Sequence, residues 1–362
     1  MDREHIRLAT PAAEAQPIGL PPAPPPDPDR PPEREVAAQA TVAKVRDSRD
    51  LREEDAHAHM LADPSTPPRV SVVIVSYNCK LPLLGCLRSL DAERAQIPLE
   101  VVLVDNDSTD GAAYEVAFRF PWVKLVVNRK NEGFARAVNE GLRFTSAEYL
   151  LILNPDTVTP PGTIGRALRE FELHPDVGML GCKLVRPDGT FDHACKRGFP
   201  TVLSALFYFT GLTRRFPDSP RFAQYTAAHL GIDETGTVDA INGAFMLVRR
   251  SAADEVGELD ERYWLWAEDL DWCHRFWEMG WQVLYWPEVE VVHLKSASVG
   301  EHRSLRLNFA FHRSIWLFYA KHHAPHRSPI LSALVAVGVW SKFVGSATAN
   351  AVRSVRSPGS AT

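Results

Sequence analysis

The stretch Val70-Ser-Val-Val-Ile-Val-Ser-Tyr-Asn78 decides the fold class of this chain. Its β-branched run is the pattern of a strand covered on both faces, and it stops at short polar residues. The same pattern returns at Leu99-Glu-Val-Val-Leu-Val-Asp105, Val123-Lys-Leu-Val-Val127 and Tyr149-Leu-Leu-Ile-Leu153. Between these runs, Leu83, Leu84, Leu87 and Leu90, and later Phe134, Ala137, Val138, Gly141 and Leu142, recur at three- and four-residue spacing, which predicts helices. Strands alternating with helices predict right-handed crossovers onto a twisted, mostly parallel sheet. That is an α/β fold with its ligand crevice at the C-terminal ends of the strands.

The loops at those ends therefore matter most. They read Ser76-Tyr77-Asn78, Asp105-Asn106-Asp-Ser-Thr-Asp-Gly111, Asn128-Arg-Lys-Asn-Glu-Gly133-Phe134 and Asn154-Pro-Asp156. Short polar side chains of this kind hydrogen-bond a base or a ribose, and Gly133 permits close backbone approach at a helix start. Asp107, Ser108 and Asp110 are equally well explained as caps of the next helix, whereas Asp105, ending an apolar strand, is not. Neither GxGxxG nor GxxxxGK[ST] occurs, which disfavours a nicotinamide-dinucleotide fold and a P-loop NTPase.

Two acid-bearing segments carry the chemistry. Leu151-Ile-Leu-Asn-Pro-Asp-Thr157 sets Asp156 directly after an apolar strand, where ligand groups are presented. Tyr263-Trp-Leu-Trp-Ala-Glu-Asp-Leu-Asp271 sets Glu268 and Asp269 beside aromatic side chains, where partial burial raises a carboxylate's proton affinity toward that of a base. Leu270, Cys273, Phe276 and Trp277 then follow at helical spacing up to Gly280, so the acids also suit a helix N-terminus, whose dipole would lower their proton affinity. Together the segments suggest a metal-diphosphate site facing a general base.

Composition bounds the alternatives. The 362 residues are 45% hydrophobic and 23% charged, enough for one large domain with appendages. A net charge of −5 argues against a nucleic-acid partner. Cys79, Cys86, Cys182, Cys195 and Cys273 are odd in number and form no CxxC pair, which fits a reducing cytoplasm better than a disulfide framework or zinc cage. Residues 1–68, with Pro21-Pro-Ala-Pro-Pro-Pro-Asp-Pro28 and a charged run, are expected to be a disordered leader, and their lack of an apolar h-region disfavours a secretory signal.

Taken in order, the motifs of residues 70–78, 101–111, 131–141 (Asn131-Glu-Gly-Phe-Ala-Arg-Ala-Val-Asn-Glu-Gly141) and 153–156, then Asn242-Gly-Ala-Phe-Met-Leu-Val-Arg-Arg250, Glu268-Asp-Leu-Asp-Trp-Cys-His-Arg275 and Val291-Val-His293, closely resemble family 2 glycosyltransferases. Within that family the chain is most similar to rhamnosyltransferase-like bacterial enzymes of cell-surface polysaccharide synthesis. The likeness spans about residues 70–320, and the joint order of the motifs carries it.

The resemblance implies a GT-A, Rossmann-like nucleotide-diphospho-sugar transferase fold, a nucleotide-sugar donor and inverting transfer. By position it assigns Ser76, Tyr77, Asn78, Asp105 and Asn106 to the nucleoside, with Gly133 and Asn139 along the ribose and diphosphate. Asp156 becomes the metal-binding acid of a DxD-like element holding Mn²⁺ or Mg²⁺, and His293 completes the metal site, imidazole favouring Mn²⁺. Asn154 stands where many relatives carry the first Asp of that element, so the site has one charge fewer. Asp269 matches the catalytic base, with Glu268 assisting it. On the residues themselves, Trp264 and Trp266 suit a sugar-stacking wall, and the small-residue loop Asn242-Gly243-Ala244 suits either the approach of the acceptor sugar or a simple turn. Residues 181–240 resemble a variable acceptor-side insertion, and Arg275 suits either a carboxylate or diphosphate partner or a solvated helix face.

The resulting expectation is a leader over 1–68, a GT-A domain over 69–300 and an amphipathic helical tail over 301–362. The tail's basic and aromatic residues suit either the cytoplasmic membrane face or a hairpin packed on the domain, and its apolar run from Ile330 to Val339 looks too short to span a bilayer. The expected reaction moves L-rhamnose from dTDP-rhamnose to a lipid-linked or polysaccharide acceptor. The alternatives are a UDP-sugar donor (hexose, galactofuranose or N-acetylhexosamine) and a non-catalytic nucleotide-sugar-binding subunit.

Overall fold

The computed structural model describes residues 67–216, 219, 221–295 and 304–356. The expected leader therefore lies almost wholly outside the described residues, as does the join expected near residue 300.

The four runs read as strands are β1 (Val70–Ser76), β2 (Leu99–Asp105), β3 (Lys124–Val127) and β4 (Tyr149–Leu153). They lie side by side in the order β3-β2-β1-β4, all parallel. The crossovers are α1 (Lys80–Arg94), α2 (Ala112–Arg119) and α3 (Phe134–Leu142). Leu83, Leu84, Leu87 and Leu90 of α1, and Ala137, Val138 and Gly141 of α3, are buried as their spacing predicts. Gly141 is required by proximity, because a Cβ there would meet a methyl of Val73 at 2.6 Å.

Beyond β4 the sheet becomes mixed. After β5 (Thr157–Val158) and α4 (Thr163–Glu172) come β6 (Val177–Val185), β7 (Lys196–Arg197), α5 (Val202–Phe209), α6 (Leu212–Arg215), β8 (Gly236–Thr237), β9 (Ala240–Ile241) and β10 (Phe245–Arg249). β10 inserts antiparallel between β4 and β6, and β11 (Gln282–His293) runs parallel to β6. The strand order is β3-β2-β1-β4-β10-β6-β11-β5, with β8 on β11, and a separate ribbon pairs β7 with β9. This is the expected α/β class with a mostly parallel central sheet.

α7 (Arg250–Val256) and α8 (Glu268–Glu278) flank the sheet's second half, and α9 (Leu305–His322) and α10 (Pro329–Arg356) form the tail. α9 is anchored on the loop before α8: Ser314 Oγ donates to the Leu265 carbonyl at 2.9 Å and Arg313 to the Arg262 carbonyl at 2.5 Å. α10 folds back on α9 through Phe309, Trp340 and Phe343 and an Asn308–Ser346 hydrogen bond. The tail is thus a helical hairpin on the domain. Its apolar run is longer than expected, because Gly, Ser, Ala and Thr carry the helix past Lys342. Pro329–Asn350, 22 residues, is long and apolar enough to cross a membrane by length and composition, and none of its most apolar window is buried.

Candidate active site

The parallel half of the sheet brings its polar loops to one rim. Ser76 pairs with Asp105 in register, Asn106 N–H donates to the Ser76 carbonyl and Asn128 N–H to the Asp105 carbonyl, both at 2.8 Å. Asp105 is buried and its Oδ2 accepts from Ser108 N–H. The Asn106 side chain ties its loop to the 128–134 loop, donating to Asn131 and the Gly133 carbonyl and accepting from Asn128 and Glu132. Asn78, with positive φ, accepts from Thr109 N–H, while Tyr77 is left 40% exposed at the rim. Ser76, Asp105 and Asn106 thus form a stiff floor under an exposed tyrosine.

Gly133 and Asn139 have a structural account of their own. Gly133 has φ +90°, and a Cβ there would run into the Trp264 carbonyl and indole, so the close approach expected of it is made to the 260s loop. Phe134 N–H donates to that same carbonyl at 2.7 Å. The buried Asn139 amide donates to the Leu259 carbonyl and accepts from Leu259 N–H, clamping the start of the segment that leads to α8.

Asp156 is positioned by the far edge of the sheet. Thr157, its neighbour, pairs with His293 in the β5–β11 register, and Leu294 N–H donates to the Asp156 carbonyl. His293 Nε2 consequently stands 3.3 Å from Asp156 Oδ1, while its Nδ1 stands 3.3 Å from Asp192 Oδ2. Lys295 holds the other oxygen of Asp192 at 2.7 Å. Burial by itself would favour neutral imidazole, but the two carboxylates outweigh it and raise His293 to about 9. The same contacts hold Asp192 well below the usual carboxylate range, against the opposing effect of burial.

Without an ion the two carboxylates keep His293 protonated, so the pair becomes a donor set for a divalent ion only as the ion displaces the Nε2 proton, with Nδ1 still held by Asp192. Asp156 and His293 supply only two donors, so the fit is to an ion that completes its shell with water and diphosphate oxygens.

The second acid segment begins α8. Trp266 and Ala267 both have positive φ, at 66° and 64°, a conformation disfavoured for residues with a Cβ. It is held by contacts on both sides: Trp264 against Gly133, Leu265 under Ser314, and Trp266 edge-to-face with Phe311 of α9 at 5.7 Å. That turn delivers Glu268 and Asp269 into the interior. Asp269 Oδ2 accepts from Arg197 at 2.5 Å and Gly243 N–H at 3.4 Å, and Oδ1 from Leu270 N–H at 2.8 Å. The expected rise in proton affinity falls on Glu268: burial, then the neighbouring Asp269 charge, raises it to about 8, and its Oε2 has no hydrogen-bond partner.

The two halves meet at residues 242–244. Gly243 N–H faces Asp269, and the next residue's carbonyl, that of Ala244, accepts from Asn154 N–H at 3.1 Å. The loop after β4 and the start of α8 are therefore joined across one short segment. Arg275 does not reach toward this cleft; it holds Asp271 at 3.0 Å and the Val256 carbonyl at 2.9 Å.

Asp192 and Arg197 were not singled out by sequence. Both lie in the 181–240 segment, whose irregular pattern carries no periodicity, and only the β7–β9 pairing and the β11 end bring them to His293 and Asp269.

Residues 71–257 match the family model described as glycosyl transferase family 2. An N-acetylglucosaminyl-diphospho-decaprenol L-rhamnosyltransferase of Mycobacterium tuberculosis is 31% identical over 264 residues, 70% of this chain and 84% of that protein. The O-antigen biosynthesis protein RfbC of Myxococcus xanthus is 29% identical over 64% of this chain and 18% of its own length. Among solved structures, the mannosyltransferase PcManGT from Pyrobaculum calidifontis, in complex with GDP-Man and Mn²⁺, aligns with a TM-score of 0.49 at 19% identity, covering 91% of this chain and 87% of that one.

Proposed function

The chain belongs to glycosyl transferase family 2 and is a glycosyltransferase, and from that premise we propose that it transfers L-rhamnose, with inversion, from dTDP-rhamnose to an N-acetylglucosaminyl-diphospho-polyprenol acceptor. The donor and acceptor rest on the mycobacterial relative, whose name states them in part and which this chain matches over most of its length. The observation that carries the chemistry is the link through Gly243 and Ala244 between Asp269 and the Asn154 loop.

In this reading the nucleoside sits against Tyr77 above the Asp105–Asn106 floor. Asp156 and His293 would hold Mn²⁺ or Mg²⁺, which offsets charge developing on the departing diphosphate. Asp269 takes the proton of the acceptor hydroxyl as its oxygen bonds to the anomeric carbon and the bond to the diphosphate oxygen breaks. Arg197 pairs with Asp269 and orients it, and Glu268 beside it keeps its proton. The exposed face of α10 lies on the membrane that carries the polyprenyl acceptor.

A donor panel tests this. Nucleotide sugars are incubated with a polyprenyl-diphosphate N-acetylglucosamine, with Mn²⁺, Mg²⁺ or EDTA, and products are scored by mass. The expected result is turnover of dTDP-rhamnose, lost in EDTA. Turnover of a UDP-sugar alone would refute the rhamnosyl assignment, and no turnover of any donor would favour a non-catalytic subunit.

A further inference from the structure

Away from the cleft, a cluster of metal-ligating side chains joins α8 to α9. His274 and Glu278 stand one turn apart on α8, and His322 comes from the last turn of α9. One ligand atom from each lies within 4.8 Å of the other two. His274 Nδ1 is 3.5 Å from Glu278 Oε1. Two ligand atoms on one tetrahedral zinc, each about 2.1 Å from it, stand roughly 3.4 Å apart. That edge of a coordination shell is already set.

The surroundings suit a cation rather than a plain histidine pair. Asp271 holds His322 Nε2 at 2.7 Å, which fixes the ring and leaves Nδ1 as the nitrogen that can ligate. His274 Nδ1 is buried and makes no hydrogen bond, a cost that a bound ion removes. The two rings lie 4.0 Å apart against the packed pair Phe199 and Phe318, an apolar wall on one side of the cluster. Glu278 is more than half exposed, which opens a route for the ion and leaves a position for water.

We propose that His274, Glu278 and His322 bind a borderline divalent cation, of which Zn²⁺ is the type, stapling the C-terminal helical hairpin to the helix that begins with Glu268 and Asp269. Two imidazoles and one carboxylate select zinc over Mg²⁺ or Mn²⁺. The site is separate from Asp156 and His293 and serves position rather than chemistry.

The test uses the full chain, stripped with EDTA and titrated with ZnCl₂ while thermal unfolding and bound metal are followed. The wild type should take up one zinc at this site with a rise in Tm, and so should D156N. E278Q and H274Q should bind it about tenfold or more weakly, with E278Q, at an exposed position, melting like the wild type without metal. The Co²⁺ form should show tetrahedral absorption bands that H274Q lacks. Zinc affinity unchanged in both E278Q and H274Q, loss of the zinc response in D156N, or no zinc-linked rise in the wild type would each overturn the proposal.

Discussion

Glu268 and Asp269 are adjacent, both buried, and differently served. Three donors converge on Asp269, one of them a guanidinium, whereas Glu268 is left with an oxygen that nothing meets. If Asp269 is the base, D269N should lower turnover roughly a hundred- to ten-thousand-fold while donor affinity, read by calorimetry, stays within a factor of a few. Loss of donor binding would make Asp269 a structural acid instead. R197Q leaves that carboxylate buried without its cation and should cost about 3–5 kcal/mol in urea unfolding. R197Q/D269N should then be destabilised by much less than the two single changes together, since the stranded charge has gone.

Glu268 provides the pH dependence. Its native value, about 8, lies above the ordinary 4.5. From about pH 4.5 upward the unfolded chain releases this proton while the native chain keeps it. The stabilisation is therefore complete below the unfolded value and lost as pH rises through about 8, at up to about 1.4 kcal/mol per pH unit. E268Q cannot titrate, so its stability relative to wild type should climb between pH 5 and 8 in denaturant melts. A constant difference across that range would contradict the buried, protonated carboxyl.

At the scale of elements, the turn before α8 depends on Gly133 at the start of α3. G133A introduces a Cβ against Trp264 at a backbone angle that alanine avoids. The expected cost is about 1–3 kcal/mol in thermal unfolding, with a loss of turnover larger than the stability loss explains, because Trp264 leads directly to Glu268 and Asp269. Gly133 also marks what could be read from sequence. Its need for close approach was legible, as were β1 to β4, the faces of α1 and α3, and the placement of Asp156 just past a strand and of Asp269 at a helix start, because each belongs to or borders a periodic run. The partner that approaches Gly133 was not legible, since Trp264 arrives from a distant loop. The same holds for Arg197 on Asp269 and Asp192 on His293, contacts made by a two-residue ribbon and a strand end that no local pattern announces. The antiparallel insertion of β10 is a tertiary choice too, as its apolar run Phe245–Arg249 would serve a parallel strand equally well. The length of α10 escaped for a different reason, because one lysine and a series of small residues look like a break in apolar character yet leave the helix intact.

On the scale of the whole molecule, the hairpin gives the enzyme an exposed apolar face. Ile330, Leu334, Val337 and Val344 are all more than half exposed, and their spacing of three, four and seven places them along one side of α10. The opposite side rests on α9 through Trp340 and Phe343. Exposing several large aliphatic groups in a row is costly in water and favourable at a bilayer surface. The purified protein should therefore associate with vesicles of anionic phospholipid, and flotation should bring most of it to the lipid fraction. The triple change I330E/L334E/V337E touches only exposed positions, so its melting should match wild type, yet it should remain with the unbound protein. Its kcat/KM should fall on a polyprenyl-linked acceptor in membranes and stay unchanged on a short, water-soluble acceptor analogue. Equal losses on both acceptors would place the hairpin's contribution in the cleft, through α9 and the Trp266 turn, rather than at the lipid.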